Sequence, residues 1–199
     1  MWVVKLGGSL NNDPLLPRWL ELLADLGGGR VTVVCGGGRF ADEVRQAQTR
    51  WQFADLPAHN MAVLAMAQTT YLAHGLQPEL RLATTKADIR RVLHAGRTAL
   101  WLPMEWVREQ ATPLTNWELT SDSIALDLAR KLNAERMVVV KSCPIDPAAS
   151  LAELAAAGVL DRRFEATAGG VPFPIDIVHR EELDRVRSLL LGEPLSLRH

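Results

Sequence analysis

The chain has 199 residues, 48% of them hydrophobic and 23% charged, with a formal net charge of −1. Such a length suits one domain able to bury roughly 70% of the surface its unfolded form exposes. The balanced charge argues against a general nucleic-acid binder, which carries a basic surplus. No stretch reaches the ~20 apolar residues of a membrane span, and Lys5 with two glycines interrupts a signal-peptide reading of the start. A cytoplasmic enzyme or binding domain is the expectation, with no nucleic-acid or membrane partner.

Apolar strands alternate with helical patterns along the chain. Trp2–Leu6 reads as a buried strand. Leu15, Leu16, Trp19, Leu20, Leu22, Leu23 and Leu26 then recur at helical spacing and stop at Gly27, Gly28 and Gly29, a helix stop without a ligand. Arg30–Cys35 is the second strand, and a helix carrying Phe40, Val44 and Ala47 follows Gly38. A long helix after Pro57 runs through Met61, Leu64, Ala65 and Gln68 towards His74 and Gly75. Strands at Leu80–Ala83 and Thr98–Leu102 flank a helix over Lys86–His94. Ser121–Leu132 is a helix, Arg136–Lys141 a buried valine-rich strand, and Ala148–Ala157 helical by propensity. Ile175–His179 is the last strand and Glu181–Leu191 the last helix. The alternation predicts an α/β fold, a three-layer α/β/α sandwich with a mostly parallel central sheet, in a single domain over 1–199.

Cys35 and Cys143 each follow an apolar run without metal-ligand spacing, so both are expected as buried, reduced thiols. His59, His74, His94, His179 and His199 lack metal spacing too, and none is assigned as a ligand. Trp19, Trp51, Trp101 and Trp106 are read as packing or interface residues, and with the leucines they point to a homo-oligomer.

In a parallel sheet, ligands sit at the carboxyl ends of the strands. Two such ends here open into glycine turns with a cation beside them: Lys5-Leu6-Gly7-Gly8-Ser9 and Cys35-Gly36-Gly37-Gly38-Arg39. Glycines admit main-chain N–H groups to an anion with no Cβ in the way. Neither turn has the spacing of a GxxxxGK[ST] loop or of a GxGxxG fingerprint. Two turns, each with its cation, suggest two phosphate groups held face to face. Later come Lys141 at a third strand end and Thr120-Ser121-Asp122-Ser123, hydroxyl and carboxylate groups opening an apolar helix, whose N–H groups would face an anion.

These three motifs, in this order, resemble the amino acid kinase family, which includes uridylate, acetylglutamate, glutamate and isopentenyl phosphate kinases. The short length, the segment from Gly36 to Asp42 and the stretch Trp117–Ser123 resemble most the branch that phosphorylates an aminomethylfuran phosphate in methanofuran biosynthesis. The resemblance implies an ATP- and Mg²⁺-dependent kinase making a phosphoanhydride on a small phosphorylated acceptor. Lys5 would neutralise the transferring phosphoryl, Gly7, Gly8 and Ser9 would donate to the donor phosphates, and Thr120, Ser121 and Ser123 would complete that site. Gly36, Gly37, Gly38 and Arg39 would hold the acceptor, with His59 in contact with it and Trp117 against its ring. Asp122 would orient lysine side chains, and Lys141 would add a second cation; no protein metal ligand is implied. The acceptor pocket would lie around Ala54–Met66, with Asp55, Met61 and Leu64 as candidates.

Two departures stand out. The family's aspartate–valine–aspartate–glycine run is replaced by Lys141-Ser142-Cys143-Pro144-Ile145-Asp146-Pro147, and its glycine–glycine–methionine motif with a downstream lysine is missing. The adenine pocket is therefore built differently or lost. Another acceptor (isopentenyl phosphate, a nucleoside monophosphate, an amino-acid carboxylate) and a noncatalytic anion-binding subunit stay open as alternatives.

Overall fold

The computed structural model describes residues 1–112 and 115–193; His199 lies outside them. Strands β1 (Trp2–Leu6), β2 (Val31–Cys35), β3 (Arg81–Ala83), β4 (Ala99–Trp101), β5 (Arg136–Lys141) and β6 (Ile175–His179) form one sheet. Their order is β3-β4-β2-β1-β5-β6. Every pairing between them is parallel. The helices are α1 (Leu16–Leu26), α2 (Gly38–Trp51), α3 (Asp55–Leu76), α4 (Lys86–His94), α5 (Ser121–Lys131), α6 (Leu151–Ala156), α7 (Phe164–Ala168) and α8 (Leu183–Leu191).

Side chains on a strand alternate between faces, and this divides the core. Val4 and Leu6 of β1 join Val33, Cys35, Val138 and Val140 in a cluster closed by leucines of α1 and α8. Val3 joins Val34, Met137 and Val139 in the opposite cluster, closed by α4, α5 and Phe164 of α7. This is the expected three-layer arrangement. Lys5 follows Val3 in phase, so it rises from the α5 face at the carboxyl end of a central strand. Leu6 pairs with Cys35 on one side and Val140 on the other, placing the ends of β1, β2 and β5 side by side.

The strand predictions hold to within a residue at each end, and the glycine stop holds as well. Gly27 ends α1 by donating its N–H to the Leu23 carbonyl at 3.0 Å. Three details differ. Helix α6 begins only at Leu151, because Ser150 and Glu153 form a reciprocal capping box that sets its start. The five-residue α7 was not foreseen. Cys35 is buried as expected, but Cys143 is exposed: β5 ends at Lys141, so Cys143 stands on the loop beyond the sheet. Of the four tryptophans, Trp19, Trp101 and Trp106 are buried, whereas Trp51 at the end of α2 is 68% exposed.

Candidate active site

Three charged side chains meet where β1, β5 and α5 converge. Asp122 Oδ1 lies 2.6 Å from Lys5 Nζ, and Asp122 Oδ2 accepts a hydrogen bond from Lys141 Nζ at 2.6 Å. Lys5 and Asp122 are buried. Burial pushes the Asp122 carboxyl up, but the two ammonium groups outweigh it and hold the group below the usual carboxylate range. Burial, with Lys141 beside it, lowers Lys5, and Asp122 opposes that shift. With all three ionised, two cations share one anion and the cluster keeps one positive unit in a place poor in water.

The glycine turns adjoin this cluster and touch each other. A Cβ on Gly8 would come within 2.4 Å of the Gly38 nitrogen, and one on Gly36 within 2.6 Å of the Gly8 nitrogen. Gly38 itself has a φ of +53° and packs so closely that a Cβ would fall 2.3 Å from the Gly8 carbonyl oxygen. Both its conformation and its contact require glycine. The turns are therefore glycine-rich first because two backbones meet there. Ser9 and Ser142 share a 2.5 Å hydrogen bond that ties the β1 and β5 ends together.

A cavity of about 790 Å³ opens over these strand ends, within the ~300–1,000 Å³ usual for small-molecule sites. Lys5, Gly8, Ser9, Asp122 and Lys141 line its base. One wall is α2 and α3, through Gly37, Gly38, Asp42, Arg45, Asp55 and His59. Another is the segment between α6 and α7, with Gly158, Val159, Asp161 and Arg162. No side chain caps the N-terminus of α2 at Gly37.

The α5 N-terminus is occupied instead. Asp161 Oδ2 accepts from the Thr120 N–H and hydroxyl, both at 3.0 Å, and from the Ser123 N–H at 2.9 Å. Its Oδ1 accepts from the Ser123 hydroxyl at 2.5 Å. The sequence led us to expect these donors on a ligand anion; they are taken by a carboxylate of the chain itself. Ser121 and Thr120 still line the cavity, and Ser123 does not.

Other predicted residues divide similarly. Gly7 and Gly36 lie behind the base rather than along the cavity; Gly7 donates to the Val140 carbonyl and Gly36 to that of Leu6, extending the sheet by one bond on each side. Arg39 is exposed, with its guanidinium 5.8 Å from the Phe40 ring, and does not line the cavity. On α2 the arginine that lines it is Arg45, because Gly38, Asp42 and Arg45 fall on one face of the helix at helical spacing. That spacing was the available signal. On α3, Asp55, His59, Ala62, Val63 and Met66 face the cavity, while Met61 and Leu64 point outward at 40% and 43% exposure. His59 donates from Nε2 to the Trp106 carbonyl at 3.0 Å, and burial lowers its pKa, so the neutral ring carries its lone pair on Nδ1. Trp117 lines the cavity; its Nε1–H donates to Gln48 Oε1 at 2.6 Å, with the Arg45 guanidinium 4.4 Å from its ring centre.

The model of the amino acid kinase family matches residues 1–144. The chain is 27% identical over 143 residues to [5-(aminomethyl)furan-3-yl]methyl phosphate kinase of Methanocaldococcus jannaschii, a match covering 70% of this chain and 64% of that protein. It thus spans just under two thirds of that relative's length. Among solved structures, the uridylate kinase of Archaeoglobus fulgidus superposes with a TM-score of 0.69 at 15% identity, covering 96% of each chain. The UMP kinase of Ureaplasma parvum gives 0.71 at 11% identity, covering 97% of this chain and 95% of that one. At such identities the likeness is one of fold.

Proposed function

The chain belongs to the amino acid kinase family, a family of phosphotransferases, and from that premise we propose that it phosphorylates [5-(aminomethyl)furan-3-yl]methyl phosphate to the diphosphate at the expense of ATP. The observation that carries this reading is the cluster in which the buried Asp122 carboxylate meets both the Lys5 and the Lys141 ammonium groups at the base of a cavity with two separate walls.

Phosphoryl transfer asks a protein for position and charge neutralisation more than for covalent chemistry. An oxygen of the acceptor phosphate attacks the terminal phosphorus of ATP, and the bond to the ADP oxygen breaks. The attacking oxygen is already an anion at neutral pH, so no general base is needed. What must be overcome is repulsion: two unit charges ~4 Å apart repel by about 4 kcal/mol at an effective dielectric near 20. Lys5 and Lys141 supply opposing charge between the two polyanions, and Asp122 holds both ammonium groups in place. The uncapped α2 N-terminus at Gly37 and Gly38 offers N–H groups to the acceptor phosphate. Mg²⁺ would travel on the ATP phosphates, since both Asp122 oxygens are engaged by lysines; when bound it would neutralise charge on the phosphate oxygens. The whole 1–199 chain acts as one unit in this scheme.

The acceptor wall favours a polar, cationic ring compound. Asp42, Arg45, Asp55, His59 and Trp117 line it; Arg45 pairs with Asp42 at 2.8 Å, which leaves the Asp55 carboxylate for an aminomethyl cation, whereas a prenyl tail would call for a dry apolar surface. We further propose a homo-oligomer. The exposed face of α3 carries Met61, Leu64, Tyr71, Leu72 and Leu76. Between Asp55 and Glu79 the sequence has no Asp, Glu, Lys or Arg, so a second copy would meet this face without charge repulsion. ADP release measured against the aminomethylfuran phosphate, UMP and isopentenyl phosphate tests the activity. The highest kcat/KM is expected with the first; preference for either of the others replaces the acceptor, and no turnover with any refutes the kinase reading.

A further inference from the structure

The donor set at the start of α5 has a use that the transfer scheme leaves open. Asp161 grips Thr120 and Ser123, the residues on either side of Ser121 and Asp122, through four hydrogen bonds of 2.5 to 3.0 Å. The Thr120 side chain does not cap its own helix; its hydroxyl donates to Asp161. The segment bearing Asp161 is in turn fastened to the loop before α5. The Arg163 N–H donates to the Glu118 carbonyl at 3.2 Å, and Arg163 Nε lies 3.3 Å from Glu118 Oε2. Asp161 is nearly buried, and its segment forms one wall of the cavity.

Building on the kinase reading, we propose that Asp161 is a positioning residue for phosphoryl transfer: by clamping the first turn of α5 on both sides of Asp122, it fixes where Asp122 holds the two lysine ammonium groups. A displacement of about 1 Å in such a group can cost ~10²-fold in rate. The carboxylate does this without competing for the lysines, since its oxygens are spent on four donors. It also acts at a distance. Beside Lys5 stand Asp122 of α5 and Lys141 of β5, and within electrostatic reach are the Asp161 carboxylate of the segment after α6 and, from β2, the Cys35 thiol. Among these, Asp161 adds to the negative charge that favours the Lys5 ammonium. Loss of that charge should move the deprotonation of Lys5 to lower pH.

The test compares the wild-type chain with Asp161→Asn and Asp161→Ala, measuring kcat and KM across pH and thermal melting of each. Asparagine can keep three of the four bonds through its amide oxygen while losing the charge. For the alanine variant kcat should fall roughly 10- to 100-fold, with KM values within about threefold, because the loss belongs to the transition state. Millimolar formate should restore part of it. For the asparagine variant the alkaline limb of the kcat profile should shift to lower pH. Variants that melt earlier but keep wild-type kcat and an unmoved alkaline limb would reduce Asp161 to a staple and overturn the proposal. If the alanine variant does not fold, the asparagine pH profile decides alone. The wild-type control separates the two claims: an inactive wild type refutes the kinase reading, while an active one with indifferent Asp161 variants refutes only the positioning role.

Discussion

Two helix N-termini face one cavity, and they are prepared in opposite ways. Helix α2 starts at a glycine turn with no side-chain cap, its first N–H groups beside the strand ends. Helix α5 starts on hydroxyl residues whose donors are already bound to Asp161. Both carry the partial positive charge of a helix start, but of the two only α2 is without a side-chain acceptor on its first turn, and in the proposed scheme it is the end that receives the acceptor phosphate. At α5 the end is part of the scaffold, and in the proposed scheme the charge offered to substrate comes from Lys5 and Lys141 held by Asp122. On that proposal an open start binds and a filled start positions.

The strongest way to break this division is at the lysine. Lys5→Ala should lower turnover about 100-fold or more, the range for losing one preorganised charge-stabilising donor; near-wild-type kcat in a steady-state assay would remove Lys5 from the chemistry. Asp122→Asn should cost roughly 10- to 100-fold in kcat by releasing both ammonium groups. It should also change acid stability. The folded-state pKa of Asp122 lies below its unfolded value, so the group contributes stability above the unfolded pKa and loses it as pH falls through the folded one. Urea melts between neutral pH and about pH 3 should therefore show a wild-type acid loss that the asparagine variant lacks in part.

Smaller effects probe the open end. Gly38→Ala meets both a positive φ and a backbone oxygen across the turn, and should destabilise by about 1–3 kcal/mol in thermal melts while raising the acceptor KM. Equal melting would mean the two turns separate easily. Alkaline inactivation should set in below the 10.5 of an ordinary lysine, since burial lowers Lys5; a kcat profile flat to that pH would contradict it. Least of all should Leu64→Glu disturb chemistry, because Leu64 points away from the cavity. It should dissociate the proposed oligomer in sedimentation experiments and leave kcat within about twofold.

How much of this was legible beforehand follows from which interactions are local. Strand and helix phases, the glycine stop at Gly27 and the family resemblance all sit in short stretches, and they held. The family's aminomethylfuran branch, read from the Gly36–Asp42 and Trp117–Ser123 stretches, recurs in the comparison with the Methanocaldococcus jannaschii relative. The pairing of Lys5 with Asp122 was anticipated through the resemblance and not from spacing, since 117 positions of chain separate them. Asp161 was invisible because it sits in a segment without a motif, 38 and 41 residues from its partners Ser123 and Thr120. Arg39 drew attention by adjacency to the glycines; helical phase turns it outward and brings Arg45 in. Met61 and Leu64 were placed in the acceptor wall for their chemistry, yet α3 shows the cavity its other face.

The division between the two helix starts can be read directly from amide chemical shifts in a nitrogen–proton correlation spectrum. On titrating the wild-type chain with Mg²⁺-ATP, then with the acceptor or inorganic phosphate, the amides of Gly8, Gly37 and Gly38 should move strongly while those of Thr120 and Ser123 stay near their starting positions. Large shifts at Thr120 and Ser123 with Gly37 and Gly38 unmoved would contradict the account, since the anion would then have displaced Asp161 and taken the wrong helix.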